Sequence, residues 1–171
     1  GGEVVYCAQD EMQTTPLEPG DYFLFVDSDT STQKGNFALA VSLTPAALPN
    51  NNTCETAQAL PIGQQGTATA SGSNLYALNN YTSWCDPVGT GAEVLYTFTA
   101  GIGQGIEITL QNAEFDPIIY LFKGSCGGEA ISCIYGDSLT ISNQAGGEYW
   151  LVIDGQDEKA WGAFDLTVSL N

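Results

Sequence analysis

Histidine and arginine are absent from this 171-residue chain, and lysine occurs only at Lys34, Lys123 and Lys159. Without histidine, a Ser-His or Cys-His nucleophilic site lacks its base and a zinc site lacks its usual co-ligand. Three lysines against 20 acidic residues leave a formal net charge of −17, so no cationic stripe is available for a phosphate backbone. Nucleic acid and anionic membrane surfaces are thereby excluded as partners. No apolar run approaches the roughly 20 residues that cross a bilayer, which argues against membrane insertion. A signal peptide is also lacking, so a secreted protein would be present here in processed form. There is no Walker or dinucleotide-binding loop, and no carboxylate pair stands in a catalytic pattern. Together these absences predict a protein that is not an enzyme.

What is present is a set of short apolar runs broken by 20 glycines and 7 prolines. Phe164, Leu166, Val168 and Leu170 alternate with polar residues, as do Ile106, Ile108 and Leu110, and again Val94, Tyr96 and Phe98. A period of two marks strands with one buried face. The continuously apolar stretches 22–26, 117–122 and 149–153 predict strands covered on both faces. Turn signals fall at 101–105, 124–128, 136–137 and 146–147. The single helix candidate is CETAQAL, with Thr53 as its N-cap. Many short strands with almost no helix predict an all-β, antiparallel, jelly-roll-like β-sandwich module.

The chain also repeats itself. GGEVVYC, ending at Cys7, recurs as GGEAISC ending at Cys133; GDYFLFVD, ending at Asp27, recurs as GEYWLVID ending at Asp154. GNFALAVSL, ending at Leu43, recurs as GAFDLTVSL ending at Leu170. Three ordered blocks predict a tandemly repeated module. Residues 1–43 are expected to be the C-terminal half of one repeat, 44–53 a Pro- and Asn-rich linker, and 54–171 a full repeat. A half-repeat would expose strand edges, so self-association into a fibre or array is expected, with strands completed by a neighbouring subunit or by further chain.

Five cysteines suit an oxidising compartment, and the protein is expected to be secreted, extracellular or at the cell surface. Two glycines between Cys126 and Cys133 let the chain reverse, so these two are expected to pair, leaving Cys54 with Cys85. Four cysteines nevertheless allow three connectivities. Cys7, the counterpart of Cys133, is expected to be unpaired or intermolecular, because its partner's counterpart would lie ahead of Gly1.

The succession NNTCETAQAL, GAEVLYTFTA, FDPIIYLF, the paired cysteines and AGGEYWLVIDG with GAFDLTVSL resembles the bacterial pre-peptidase C-terminal domain. The likeness covers residues 54–171 and is most specific over its closing two strands. It implies a β-sandwich carried by secreted peptidases, adhesins and repeat-rich surface proteins, some of which bind calcium or a fibrous substrate. Three roles follow: a non-catalytic structural and interaction module, a module binding polysaccharide or fibrous protein, or an accessory domain of a secreted peptidase.

Calcium is the metal expected, since it takes six to eight hard oxygens. Asp27 and Asp29 close one strand, and Asp154, Asp157 and Glu158 close its repeat; the resemblance adds Asn52 and Glu55 at the module entrance. Strand-end aspartates also serve as turn formers that bond their own backbone. Tyr76, Tyr81 and Trp84 lie in a polar loop segment and offer a stacking platform for sugars or proline-rich fibres. Trp84 packed beside a disulfide is the competing role. Asn51 and Asn80 head glycosylation sequons.

Overall fold

The computed structural model describes residues 4, 7–9, 12, 20–43, 47–63 and 66–171. Two compact units are present, Gly1–Ala46 and Ala47–Asn171. Most of the block at residues 1–7, and residues 44–46 of the expected linker, lie outside the described residues.

The second unit is built from nine strands: β1 (Gln58–Ala59), β2 (Gly66–Ser73), β3 (Glu93–Ala100), β4 (Ile106–Gln111), β5 (Pro117–Lys123), β6 (Ser132–Tyr135), β7 (Ser138–Ile141), β8 (Gly147–Gly155) and β9 (Ala163–Leu170). They form a five-stranded sheet in the order β1-β3-β8-β5-β6 and a four-stranded sheet in the order β2-β9-β4-β7. Only β1 with β3 is parallel; every other pairing is antiparallel. The period-two residues meet between the sheets. Val94, Tyr96, Leu151 and Ile153 of the first sheet pack with Ile106, Ile108, Leu166 and Val168 of the second in one buried cluster. Phe98 and Tyr149 are directly opposed across β3 and β8 and stack with ring centroids 5.6 Å apart. Each fully buried side chain of this size stabilises the sandwich by roughly 1.5–3 kcal/mol. The fold is therefore an all-β sandwich of two mainly antiparallel sheets.

A second cluster lies on the opposite face of the first sheet. Leu95, Ile118, Tyr120, Phe122 and Val152 are buried there with Ala130. This explains the continuously apolar runs in β5 and β8: each has core on one face and a covered outer face. The expected helix at the entrance is a single 3-10 turn, Cys54–Thr56, with the Thr53 N–H donating to Thr56 Oγ1 at 3.2 Å. Ala57 ends it by leaving helical backbone geometry.

In the first unit, residues 20–43 form no strand, although the apolar stretch 22–26 predicts one. Extended backbone becomes a strand only when a neighbour supplies a ladder for its N–H and C=O groups. No described segment of this unit supplies one. The turn at residues 27–33 is held by local bonds: Gln33 N–H donates to the Thr30 carbonyl at 3.1 Å and Ser28 N–H to Asp27 Oδ1 at 2.8 Å.

Candidate functional site

The outer face of the first sheet is roofed by the entrance segment and by the loop from Asn74 to Ala92 that joins β2 to β3. The two are tied together: Leu78 N–H donates to Asn52 Oδ1 at 2.7 Å, Asn80 Nδ2 to the Asn52 carbonyl at 3.2 Å, and Cys54 N–H to the Tyr81 hydroxyl at 3.0 Å. Two disulfides staple this roof to the sheet, and they correct the expected pairing. Cys54 bonds Cys126 and Cys85 bonds Cys133, with Cα separations of 5.8 and 6.1 Å. The hairpin register is the reason. Cys133 sits in β6 opposite Tyr120, whereas Cys126 lies in the connecting loop beyond the end of β5. Each cysteine therefore meets the segment crossing above it. Cys7 is free and exposed.

Beneath the roof lies an acidic pair. Glu93 of β3 and Asp154 of β8 are direct cross-strand partners, 0% and 1% exposed. Their parity puts them on the same face as Leu95 and Val152. Glu93 Oε1 accepts the Asn80 and Tyr81 N–H groups at 2.5 and 3.0 Å, and the Tyr120 hydroxyl donates to Asp154 Oδ2 at 3.4 Å. Glu93 Oε2 and Asp154 Oδ1 have no hydrogen-bond partner. Burial pushes the Glu93 carboxyl up to about 8; the two N–H bonds oppose this and the Asp154 charge adds to it. Burial, then the nearby Asp86 charge, pushes Asp154 up to about 7. The same burial and the two carboxylates raise the Tyr120 hydroxyl. The pair lies beneath the roof and does not face solvent.

A second feature sits on the roof itself. Ser83 to Asp86 form a tight turn closed by mutual backbone bonds of 3.4 and 3.1 Å. Trp84 projects from it, 63% exposed, with its indole Nε1–H donating to the Ala130 carbonyl at 3.1 Å. The ring borders a shallow depression lined by Glu129, Ala130 and Ile131.

The residues singled out from sequence are not gathered in one place. Among the described residues, no group of three or more Asp, Glu, Cys or His side chains is arranged to hold a metal ion. Asp154 is sealed beneath the roof, whereas Asp157 and Glu158 are exposed and Asp157 Oδ1 accepts the Lys159 N–H at 2.7 Å. Asp27 caps its own turn in the same way, and Asp29 is exposed. The Asn52 side-chain oxygen is engaged by Leu78, and exposed Glu55 has its pKa lowered by its own backbone N–H and by the Thr53 hydroxyl. Tyr81 packs edge-on against Phe122 and its hydroxyl is bonded, so it does not share a platform with Trp84. Tyr76 is 36% exposed in a left-handed backbone conformation. The sequon amides are both bonded: Asn51 Nδ2 to the Leu95 carbonyl, Asn80 Nδ2 to Asn52. Glu93, Asp86 and Glu129 were not singled out. Glu93 reads in sequence as the polar phase of an alternating strand, and only the covered outer face reveals it.

Residues 50–168 match a T9SS-associated family described as galactose binding domain-like. No curated protein sequence matches the chain. Among solved structures, the chain is similar to PliG from Aeromonas hydrophila, a periplasmic inhibitor of g-type lysozyme, at 17% identity and a TM-score of 0.47. That match covers 67% of this chain and 96% of the inhibitor. It is also similar to the pre-peptidase C-terminal domain of a Bacillus anthracis collagenase, at 18% identity and a TM-score of 0.42, covering 67% and 96%. The match to the family model spans most of the chain, including all nine strands save the end of β9. The chain belongs to the T9SS-associated, galactose binding domain-like family.

Proposed function

We propose that the chain is a non-catalytic structural and interaction module of an exported protein built from tandem copies of this fold. In this reading residues 20–43 are the last two strands of one copy, completed by strands of the same module type. One observation carries it. Leu24, Val26, Phe37, Leu39, Val41 and Leu43 are between 50% and 86% exposed. Their counterparts in the repeat, Leu151, Ile153, Phe164, Leu166, Val168 and Leu170, are at most 4% exposed in β8 and β9. The same apolar pattern, identical but for Val26 in place of Ile153, is core in one setting and solvated in the other. What differs is the neighbours: β8 lies between β3 and β5, and β9 between β2 and β4. Leaving six such side chains in water forgoes on the order of 1.5–3 kcal/mol each. Membership of a T9SS-associated family supports export, and the resemblance to pre-peptidase C-terminal modules supports a non-catalytic role. Copies joined head to tail form an open fibre, because the contact does not close on itself.

The test is a longer chain in which a second copy of residues 47–126 precedes Gly1, restoring the repeat register. Hydrogen exchange should then slow across 21–27 and 37–43. Cys7, the counterpart of Cys133, should form a disulfide with the added copy's equivalent of Cys85. Unchanged exchange together with a free Cys7 would overturn the reading.

A further inference from the structure

The strands at the edges of the two sheets are β1, β6, β2 and β7, and they differ in length. β1 has two residues and β6 and β7 four each, which leaves little ladder open to another chain. β2 has eight, Gly66 to Ser73, and every one of them pairs with β9. The directions of its backbone groups follow from the far side of β9. Gly105 and Asn171 exchange both backbone hydrogen bonds, at 2.7 and 3.2 Å, so Asn171 and, by alternation, Ser169, Thr167 and Asp165 turn their backbone groups to β4. Leu170, Val168, Leu166 and Phe164 therefore face β2 and bond Gly66, Ala68, Ala70 and Gly72. Thr67, Thr69, Ser71 and Ser73 are left with their N–H and C=O groups turned away from β9. Among the described residues, no other segment bonds the backbone of β2.

Native sheets protect an edge of this length with charge, proline or a bulge. β2 carries neither charge nor proline, and its pairing with β9 runs without a bulge from Gly66 opposite Leu170 to Ser73 opposite Ala163. Its hydroxyls are tied back to β9: Thr67 Oγ1 is bonded to Ser169 Oγ at 3.0 Å, and the Ser71 hydroxyl donates to Asp165 Oδ1 at 2.8 Å. The sequence also selects the occupant. From Thr67 to Ser73, hydroxyl residues alternate with alanine or glycine, and the order of types reads the same in both directions about Ala70. A two-fold axis at Ala70 sets Thr67 against Ser73 and Thr69 against Ser71 of a second copy, hydroxyl to hydroxyl, with small residues opposed on the other face. The net charge of −17 does not oppose this joint at close range. Asp165, the one acidic residue of β9, stands a strand back, so its two copies are at least about 14 Å apart, beyond the Debye length of about 8 Å.

We propose that β2 is a pairing edge for a second copy of this chain, the two β2 strands joining antiparallel about a two-fold axis at Ala70 so that two sheets become one. The joint needs only β2 and β9, lies within the second unit and does not rest on the tandem reading. It buries backbone and small side chains and little apolar area, so a single contact is weak, with a dissociation constant on the order of 1 mM. Where copies are linked in one chain, such contacts add by avidity and join neighbouring chains side by side.

The experiment traps the pair by disulfide cross-linking of the full chain, carrying Cys7→Ser, at about 1 mM under mild oxidation. In the proposed register the two Ala70 Cα atoms are about 4.5 Å apart, within disulfide reach, so Ala70→Cys should give a covalent dimer. Positions 67 and 73 oppose each other across the joint, whereas each lies about 20 Å from its own copy. Thr67→Cys and Ser73→Cys should therefore stay monomeric alone and link when mixed, at least about tenfold faster than either alone. Thr69→Lys with Ser71→Lys sets like charges opposite one another and should slow the linking of Ala70→Cys about tenfold. Near-ultraviolet circular dichroism reports that each variant is folded, and if the lysine variant is not, the mixing result decides. Linking of Thr67→Cys alone at the rate of the mixture overturns the proposal, because association through residues 20–43 would bring two chains together without this register. No link in any variant also overturns it, and leaves the edge to a strand of another protein.

Discussion

Glu93 and Asp154 oppose each other across the β3–β8 ladder, both buried, each with one oxygen lacking a partner. Neighbouring carboxylates out of water favour their neutral forms, which is why the folded values rise to about 8 and about 7. The unfolded values are the ordinary 4.5 and 3.8. A folded value above the unfolded one stabilises fully below the latter, and that contribution is lost as the pH rises through the former. The melting temperature should therefore fall between about pH 4 and pH 8. Glu93→Gln keeps the Oε1 acceptor and removes one ionisation, so it should flatten the profile, gaining on the order of 2 kcal/mol at the alkaline end. A wild-type melting temperature that climbs across this range would contradict the pairing. Calcium that raises the alkaline melting temperature of the wild type and not of Glu93→Gln would put a cation, not a proton, between these oxygens.

Peptide mapping without reductant should recover the links Cys54–Cys126 and Cys85–Cys133. Replacing either pair with serine should lower stability by about 2–4 kcal/mol, measured by urea denaturation. A map linking Cys126 to Cys133 would contradict the staple.

Gly91 lies where the roof passes closest to β8. A Cβ there would overlap the Gly155 carbonyl and approach Asp154 Oδ1 at 2.7 Å. Backbone leaves no room to yield, so Gly91→Ala should cost roughly 2–4 kcal/mol. Gly63, with nothing within 4 Å of its would-be Cβ, provides the control, with a change within about 0.5 kcal/mol. Thermal unfolding of both variants checks the contrast.

Asn74 is fully buried and joins three segments. Its Nδ2 donates to the Ala92 and Ala160 carbonyls at 2.8 and 3.0 Å, and its Oδ1 accepts the Gly162 N–H at 2.9 Å. Asn74→Asp places an acceptor against two carbonyls. The loss should be about 3 kcal/mol near neutral pH and smaller in acid, where a protonated carboxyl regains one donor. Denaturation curves at two pH values decide it.

The strands carrying period-two apolar residues were legible because the pattern is the fold: β3, β4, β5, β8 and β9 fall where alternation or continuous apolar runs place them. β2, GTATASGS, was not, since it packs small residues and a glycine rather than large side chains. At Gly72 a Cβ would strike Phe164 Cζ at 2.7 Å, so the missing side chain is itself the packing device. β6 and β7 are four residues each, too short for a periodic signal. The acidic pair escaped notice because alternation assigns the polar phase to solvent, and nothing local announces that a distant loop covers it. Cysteine pairing escaped for the same reason: closeness in sequence favoured Cys126 with Cys133, whereas the roof brings Cys54 and Cys85 from far upstream.

The two disulfides interlock, since Cys85 lies inside the span from Cys54 to Cys126 and Cys133 lies beyond it. Under tension between the entrance and the end of β9, the covalent path enters at Cys54 and crosses at once to Cys126. The chain between, with β1 to β5, carries no load and cannot lengthen. Only the loop from Cys126 to Cys133 and the stretch beyond it, holding β7, β8 and β9, can lengthen. A stretched molecule would thus lengthen by a fixed amount and then stop, because the two bridges hold the rest of the covalent path.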